Sequence, residues 1–295
     1  MNFLSFFIAL FVSASLFLFQ GTAVQANDSA KPHVVIIVGT LHYSPELSMP
    51  VFAKELERFG FRTTVVMGEG NPETKIQNVL PGIDVLADAD VAIFFMRFLK
   101  LPDIEWKPIE DYLRSGKPVI GLRTANHSFK YPNDHPRYEW NDGFGWRALG
   151  TPYIVHQAGT TQISAVQKHR KHPVMTHVAK TNWESPGSLY LTRLQSGVIP
   201  LVTGVGQGKP RLLERNVGPV MVDKIESDIV AWAWENEWGG KVFATSLGHP
   251  GDFAEESFVR MLINGTCWAV DHPLPTADDK ISTWEIKRAD KKPRK

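Results

Sequence analysis

The chain has one cysteine, Cys267, among 295 residues. A single cysteine excludes an internal disulfide, so the fold must be held by packing. Cys267 lies in a C-terminal apolar run, where a free cysteine is expected as a small core residue and not a nucleophile. Net charge is nearly absent too: 32 Lys and Arg stand against 31 Asp and Glu. That balance leaves no electrostatic footprint for nucleic acid, and no such partner is expected. Familiar catalytic signatures are missing. The sequence has no GxSxG elbow, no Walker loop and no GxGxxG, and its histidines show no HxH, HxxxH or HExxH spacing. The Gly204–Gly208 run (GVGQG) reads as an exposed turn.

Charge is also missing from residues 1–26, which contain no Asp, Glu, Lys or Arg. Phe3–Gln20 is almost wholly apolar, and Thr22–Ala26 ends in small residues suited to cleavage. This reads as a secretory signal peptide, with export to the periplasm or cell envelope expected. An uncleaved membrane anchor is the alternative, and the membrane enters only through that segment. Residues 27–32 read as a linker, 33–270 as one domain, and 271–295 as a polar, basic and poorly ordered tail.

What is present is a strand–helix alternation. His33–Gly39 (HVVIIVG) is a continuous β-branched run, as expected of a strand covered on both faces. Leu47–Phe59 reads as a helix, Arg62–Met67 and Val91–Met96 as strands, Pro108–Ser115 as a short helix and Lys117–Leu122 as a fourth strand. Residues 129–160, rich in Pro, Gly, Trp and His, read as a long irregular insertion. Its stretch Tyr138–Trp146 suits sugar recognition and a packed lid equally. Thr161–Val166, Ser188–Leu194, Val198–Val202 and Asp228–Trp234 read as further strands in an antiparallel extension. Val242–Leu247 is the last strand. It leads through Gly248-His249-Pro250-Gly251 into an amphipathic helix, with Asp252 as expected N-cap and Glu255 as its capping-box partner. The pattern predicts an α/β fold: a doubly wound, mostly parallel sheet with helices on both faces.

Three histidines follow strand ends: His42 after Gly39, His127 after Leu122 and His249 after Leu247. Arg97 and Arg123 directly follow two strands. In a parallel sheet these turns open on one edge, where such folds bind ligands. A pocket rimmed by imidazoles and guanidiniums is therefore expected. His127 or His249 is the expected base, with His42 assisting or ligating a metal, and Arg97 and Arg123 contacting substrate. Trp183 and Tyr190 would stack on a sugar face or sit in the core. His249, before a proline, would alternatively fix its own turn. The cofactor is left open, zinc being the ion that three imidazoles would hold.

Four stretches carry a family resemblance: GKPVIGLRTANHSF (Gly116–Phe129), HPVM (His172–Met175), ESPGSLYLT (Glu184–Thr192) and GGKVFATSLGHPGDF…LINGTCWAV (Gly239–Val270). Together they resemble the ThuA-like, or trehalose-utilisation-like, proteins of the class I glutamine-amidotransferase-like superfamily. The resemblance implies a flavodoxin-like fold and a role in bacterial metabolism of disaccharides or 3-keto-glycosides. It also implies that His249-Pro250 corresponds to the His-Pro step of true amidotransferases. Arg123-Thr124 replaces their elbow cysteine and Gly251-Asp252 their following Glu, so thiol glutaminase activity is not expected. A non-catalytic carbohydrate-binding or scaffold protein is the other reading.

Overall fold

Residues 31–180, 182–208, 211–215, 218–222 and 227–286 are described by a computed structural model. The expected signal segment and residues 287–295 lie outside these limits.

Strand β1 (His33–Gly39) is buried along its whole length. Val34, Ile36 and Val38 enter one core, while Val35 and Ile37 enter a second on the opposite face. That split is the two-residue period of an extended chain. Helix α1 (Pro45–Arg58) sends Met49, Phe52 and Leu56 into the first core, at helical spacing. Strands β2 (Arg62–Met67), β3 (Val91–Met96) and β4 (Val119–Leu122) follow, with helix α2 (Asp103–Arg114) packing Trp106, Ile109 and Leu113 onto the second core. The chain continues through β5 (Thr161–Ala165), β6 (Asn182–Ser185), β7 (Ile199–Gly206), β8 (Ser227–Glu235) and β9 (Lys241–Thr245) to helix α3 (Glu256–Ala269). Gly265 of α3 lies where any Cβ would overlap the Phe243 ring of β9, so the helix rests directly on the sheet.

These nine strands form one sheet, ordered β2-β1-β3-β4-β9-β8-β7-β5-β6. The first five are mutually parallel, and the remaining four join antiparallel. Helices α1 and α3 share the first core and α2 takes the second, so both faces are covered. This is the flavodoxin-like sheet with an antiparallel extension that the sequence predicts. The carboxyl ends of β1, β3, β4 and β9 share an edge, which fixes where the site can form.

Several local expectations are corrected. Helices α1 and α2 start earlier than Leu47 and Pro108, with Pro50 and Pro108 inside them. Segment Ser188–Leu194 does not join the main sheet. Leu189–Leu191 pairs with Val155–Gln157 in a separate ribbon, and the edge strand is Asn182–Ser185. Gly204 and Gly206 are strand residues of β7, not an exposed turn. Asp252 does not cap α3: Glu255 does, accepting from Ser257 N–H at 3.2 Å. Within the 129–160 insertion, Phe129, Trp140 and Phe144 are core residues around Trp106. Residues 271–286 form a packed strap and not a loose tail. The Trp284 ring stacks on Phe253 at 5.1 Å, and His272 donates to the Phe59 carbonyl at 2.8 Å.

Candidate functional site

The turn after β1 is shaped by two consecutive left-handed residues, Tyr43 (φ 70°) and Ser44 (φ 53°). It carries His42 and Tyr43 to the sheet edge, with His42 N–H held by Thr40 Oγ1 at 3.1 Å. Beyond β3 the chain turns at Phe98, also left-handed (φ 56°), whose N–H donates to the His127 carbonyl at 3.1 Å. This bond ties the Arg97-Phe98 turn to the Arg123–His127 turn after β4.

Arg123 itself has φ 50°, a strained conformation for a side-chain-bearing residue at a strand-to-helix elbow. Its guanidinium is buried between the Tyr43 and Tyr190 rings, 4.5 and 4.3 Å from their centroids. It donates to the Ser246 and Ser188 carbonyls (2.6 and 3.1 Å), to Ser188 Oγ (3.0 Å) and to the Tyr43 hydroxyl (3.3 Å). Arg123 thus fastens three loops together from beneath the cavity and does not line it.

The cavity above has a volume of about 310 Å³. Its walls are His42, Tyr43, Arg97, Phe98, His127, Lys130, Tyr153, His156 and Tyr190. None of these is a carboxylate. Arg97 lies 4.0 Å over the Phe98 ring, and no carboxylate among the described residues forms an ion pair with it. Burial pulls its guanidinium below the ordinary value, yet an arginine stays protonated at neutral pH.

His127 is buried, with its ring 4.3 Å from Tyr153 and 5.3 Å from Phe98. Its Nδ1 lies 2.9 Å from Asn126 Oδ1. With the Asn126 amide oxygen turned to the ring, Nδ1 carries the proton and Nε2 keeps a lone pair. Burial, then the charges of Arg97 and Arg123, holds the imidazole well below its usual range, so it is neutral at pH 7. Tyr43 is shifted the other way. Burial opposes its ionisation, but the charge and hydrogen bond of Arg123 draw the phenol below its ordinary value. One cavity therefore combines a neutral imidazole, an eased phenol and a cation.

His249 stands apart. Its Nδ1 accepts from Gly251 N–H at 3.2 Å, closing the His-Pro turn, and its ring meets the edge of Tyr43 at 5.8 Å. Asp252 holds the same turn, accepting from Gly248 and His249 N–H at 2.7 and 2.8 Å and from Ser185 Oγ at 2.5 Å. Of the three expected histidines, His42 and His127 share the cavity, and His249 lies behind Tyr43. Of the expected substrate contacts, Arg97 and Tyr190 reach it, and Arg123 does not. Trp183 is buried in the first core, paired across from Ile163.

The composition of the site also answers the zinc expectation. Among the described residues no three His, Cys, Asp or Glu converge to hold a metal. Three imidazoles, His42, His127 and His156, line the wall, but they share it with Arg97 and Lys130, whose charge disfavours a divalent ion.

Five wall residues escape sequence reasoning. Tyr43 and Phe98 adjoin singled-out residues and were within reach. Lys130, Tyr153 and His156 come from the irregular insertion, which is tied to the edge by the bridge between Leu99 and Phe129, by Tyr153 N–H donating to the Asn126 carbonyl at 3.3 Å, and by pairing with Leu189–Leu191.

Comparison with known proteins now adds an independent finding. The family profile described as trehalose utilisation, ThuA, matches residues 34–269. This chain belongs to the ThuA family. Its fold is similar to two solved ThuA-like proteins. One, from Parabacteroides merdae, is 14% identical with a TM-score of 0.54, over 81% of this chain and 90% of that one. The other, from Bacteroides uniformis, is 15% identical with a TM-score of 0.54, over 83% and 95%. No curated protein matches the chain. The ThuA fold is glutamine-amidotransferase-like, and in this chain the left-handed residue after β4 is Arg123.

Proposed function

We propose that this ThuA-family chain is an enzyme of carbohydrate metabolism that cleaves an oxidised glycoside by removing a proton beside its carbonyl group. The observation that carries this reading is the pairing of neutral His127 with Arg97 in a cavity without carboxylates. A base must be unprotonated at working pH, and His127 is. An enolate needs a cation or donor at its oxygen, and Arg97 supplies one. The proton passes from carbon to His127 Nε2, and the electron pair forms a carbon–carbon double bond. The glycosidic C–O bond at the next carbon breaks, and the departing oxygen takes a proton from the Tyr43 hydroxyl. The unsaturated sugar is the product, and proton exchange with solvent returns His127 and Tyr43 to their starting forms.

Thiol glutaminase chemistry has no place in this reading. Arg123 occupies the elbow, and burial pushes the Cys267 thiol up to about 12. Export also remains part of the proposal, resting on the uncharged apolar start of the sequence. No helix among the described residues is long and apolar enough to cross a membrane.

Elimination forms a conjugated product, so ultraviolet absorbance tests the proposal directly. A panel of 3-keto-glycosides and uronates glycosylated at C4 should include one that gains absorbance with the wild type and not with His127→Asn. Sugar binding without any absorbance change across the panel would favour the non-catalytic binding reading instead.

A further inference from the structure

We infer that the oxidised group this cavity takes is a carboxylate, so that the ligand is a glycosiduronate and Arg97 is its recognition residue. The inference rests on the proposed reading of the site and names its substrate class. Three features point to a negative charge. The cavity wall carries Arg97 and Lys130 and no Asp or Glu. Both cations lie over the single ring of Phe98, at 4.0 and 4.9 Å, so they share one region of the wall. Arg97 is part-buried on the cavity wall and has no carboxylate counterion among the described residues. A part-buried guanidinium left without an anion is a costly arrangement, and a planar two-oxygen ligand relieves it through paired hydrogen bonds.

The volume agrees. About 310 Å³ lies at the small end of ligand pockets, roughly one sugar ring. Tyr153 also lines a neighbouring cavity of about 410 Å³ with Trp146 at its wall, giving the rest of a glycoside somewhere to lie. The chemistry agrees as well. A carboxylate's negative charge opposes removal of the adjacent proton, and Arg97 beside it offsets that charge. For a uronate that carries its leaving sugar on C4 the elimination balances in the same way: C5 loses its proton to His127, the electron pair forms the C4–C5 double bond, the C4–O bond breaks, and Tyr43 protonates the departing oxygen. No other reactant is consumed.

Calorimetric titration of the protein with methyl glucuronide, methyl glucoside and glucose 6-phosphate tests this. Glucuronide should bind at least about tenfold more tightly than glucoside at low salt. The preference should shrink as salt is raised, and fall to within about threefold in Arg97→Gln. A thermal melt establishes that Arg97→Gln is folded; if it is not, Lys130→Gln serves, with a partial loss of preference expected. Equal affinity for glucuronide and glucoside, or a preference that survives in the folded variant, would overturn the inference. Tighter binding of the phosphate sugar would overturn the carboxylate assignment. Turnover of a neutral keto-glycoside without charge discrimination would sink this inference and leave the proposed function standing. Glucuronide preference without turnover of any panel member would do the reverse.

Discussion

At the residue scale, His127 owes its chemistry to burial. An imidazole ordinarily titrates near about 6.5. Here the folded state holds it well lower, so the base form persists as pH falls through that value. The acid limb of kcat/KM is therefore expected clearly below pH 6.5; a limb at the ordinary histidine value would remove His127 from the role of base. His127→Asn should cost about 10²- to 10⁴-fold in kcat, the usual worth of a general base. Trp183 makes a contrasting case. It sits in the core, so Trp183→Phe should lower the melting temperature and leave ligand affinity, read by calorimetry, unchanged.

At the element scale, the site depends on turns. Asp252 gathers three donors from the His-Pro turn and from Ser185 at the end of β6. Burial raises its carboxyl above the ordinary value, and those three donors oppose the shift. Asp252→Ala strands buried N–H groups and should cost about 2–4 kcal/mol in denaturant unfolding. A cost below about 0.5 kcal/mol would show that the turn holds itself. The parallel strands were legible in the sequence because they are unbroken β-branched runs. Strand ends located His42, Arg97 and His127 by the same logic. What was not legible is non-local. Whether Arg123 looks into a cavity or beneath it depends on the Ser188 and Ser246 carbonyls, far off in the chain. Likewise Tyr153 and His156 gain their places from a hydrogen bond to the Asn126 carbonyl and a three-residue ribbon too short to carry a periodic pattern. The caps misled for a related reason: Asp252 has a capping residue's chemistry but spends it on the preceding turn.

At the scale of the whole molecule, the strap of residues 271–286 closes the first core. Arg260 donates to the Thr276 and Asp279 carbonyls at 3.0 and 2.7 Å, and Ile281 and Trp284 add apolar contact. Polar composition hid this packing from the sequence. Stability as a whole should also respond to pH in a set direction. His33, His127 and His172 all have lowered values in the fold, with burial the leading cause. Below about pH 6.5 the unfolded chain binds protons that the folded chain refuses, so stability is lost as pH falls through that value. The melting temperature at pH 5.5 should therefore lie below that at pH 7.5. A flat or opposite trend would mean that these imidazoles accept protons without cost.

The central claim is that His127 removes a carbon-bound proton. Proton NMR in deuterated water, with a glycosiduronate and a 3-keto-glycoside as probes, reads that step even when no bond is cleaved. The wild type should wash out the signal of the proton beside the carbonyl in one of them, and His127→Asn should leave it intact. Retention of that proton by the wild type in a ligand shown to bind, or equal loss in both proteins, would contradict the account.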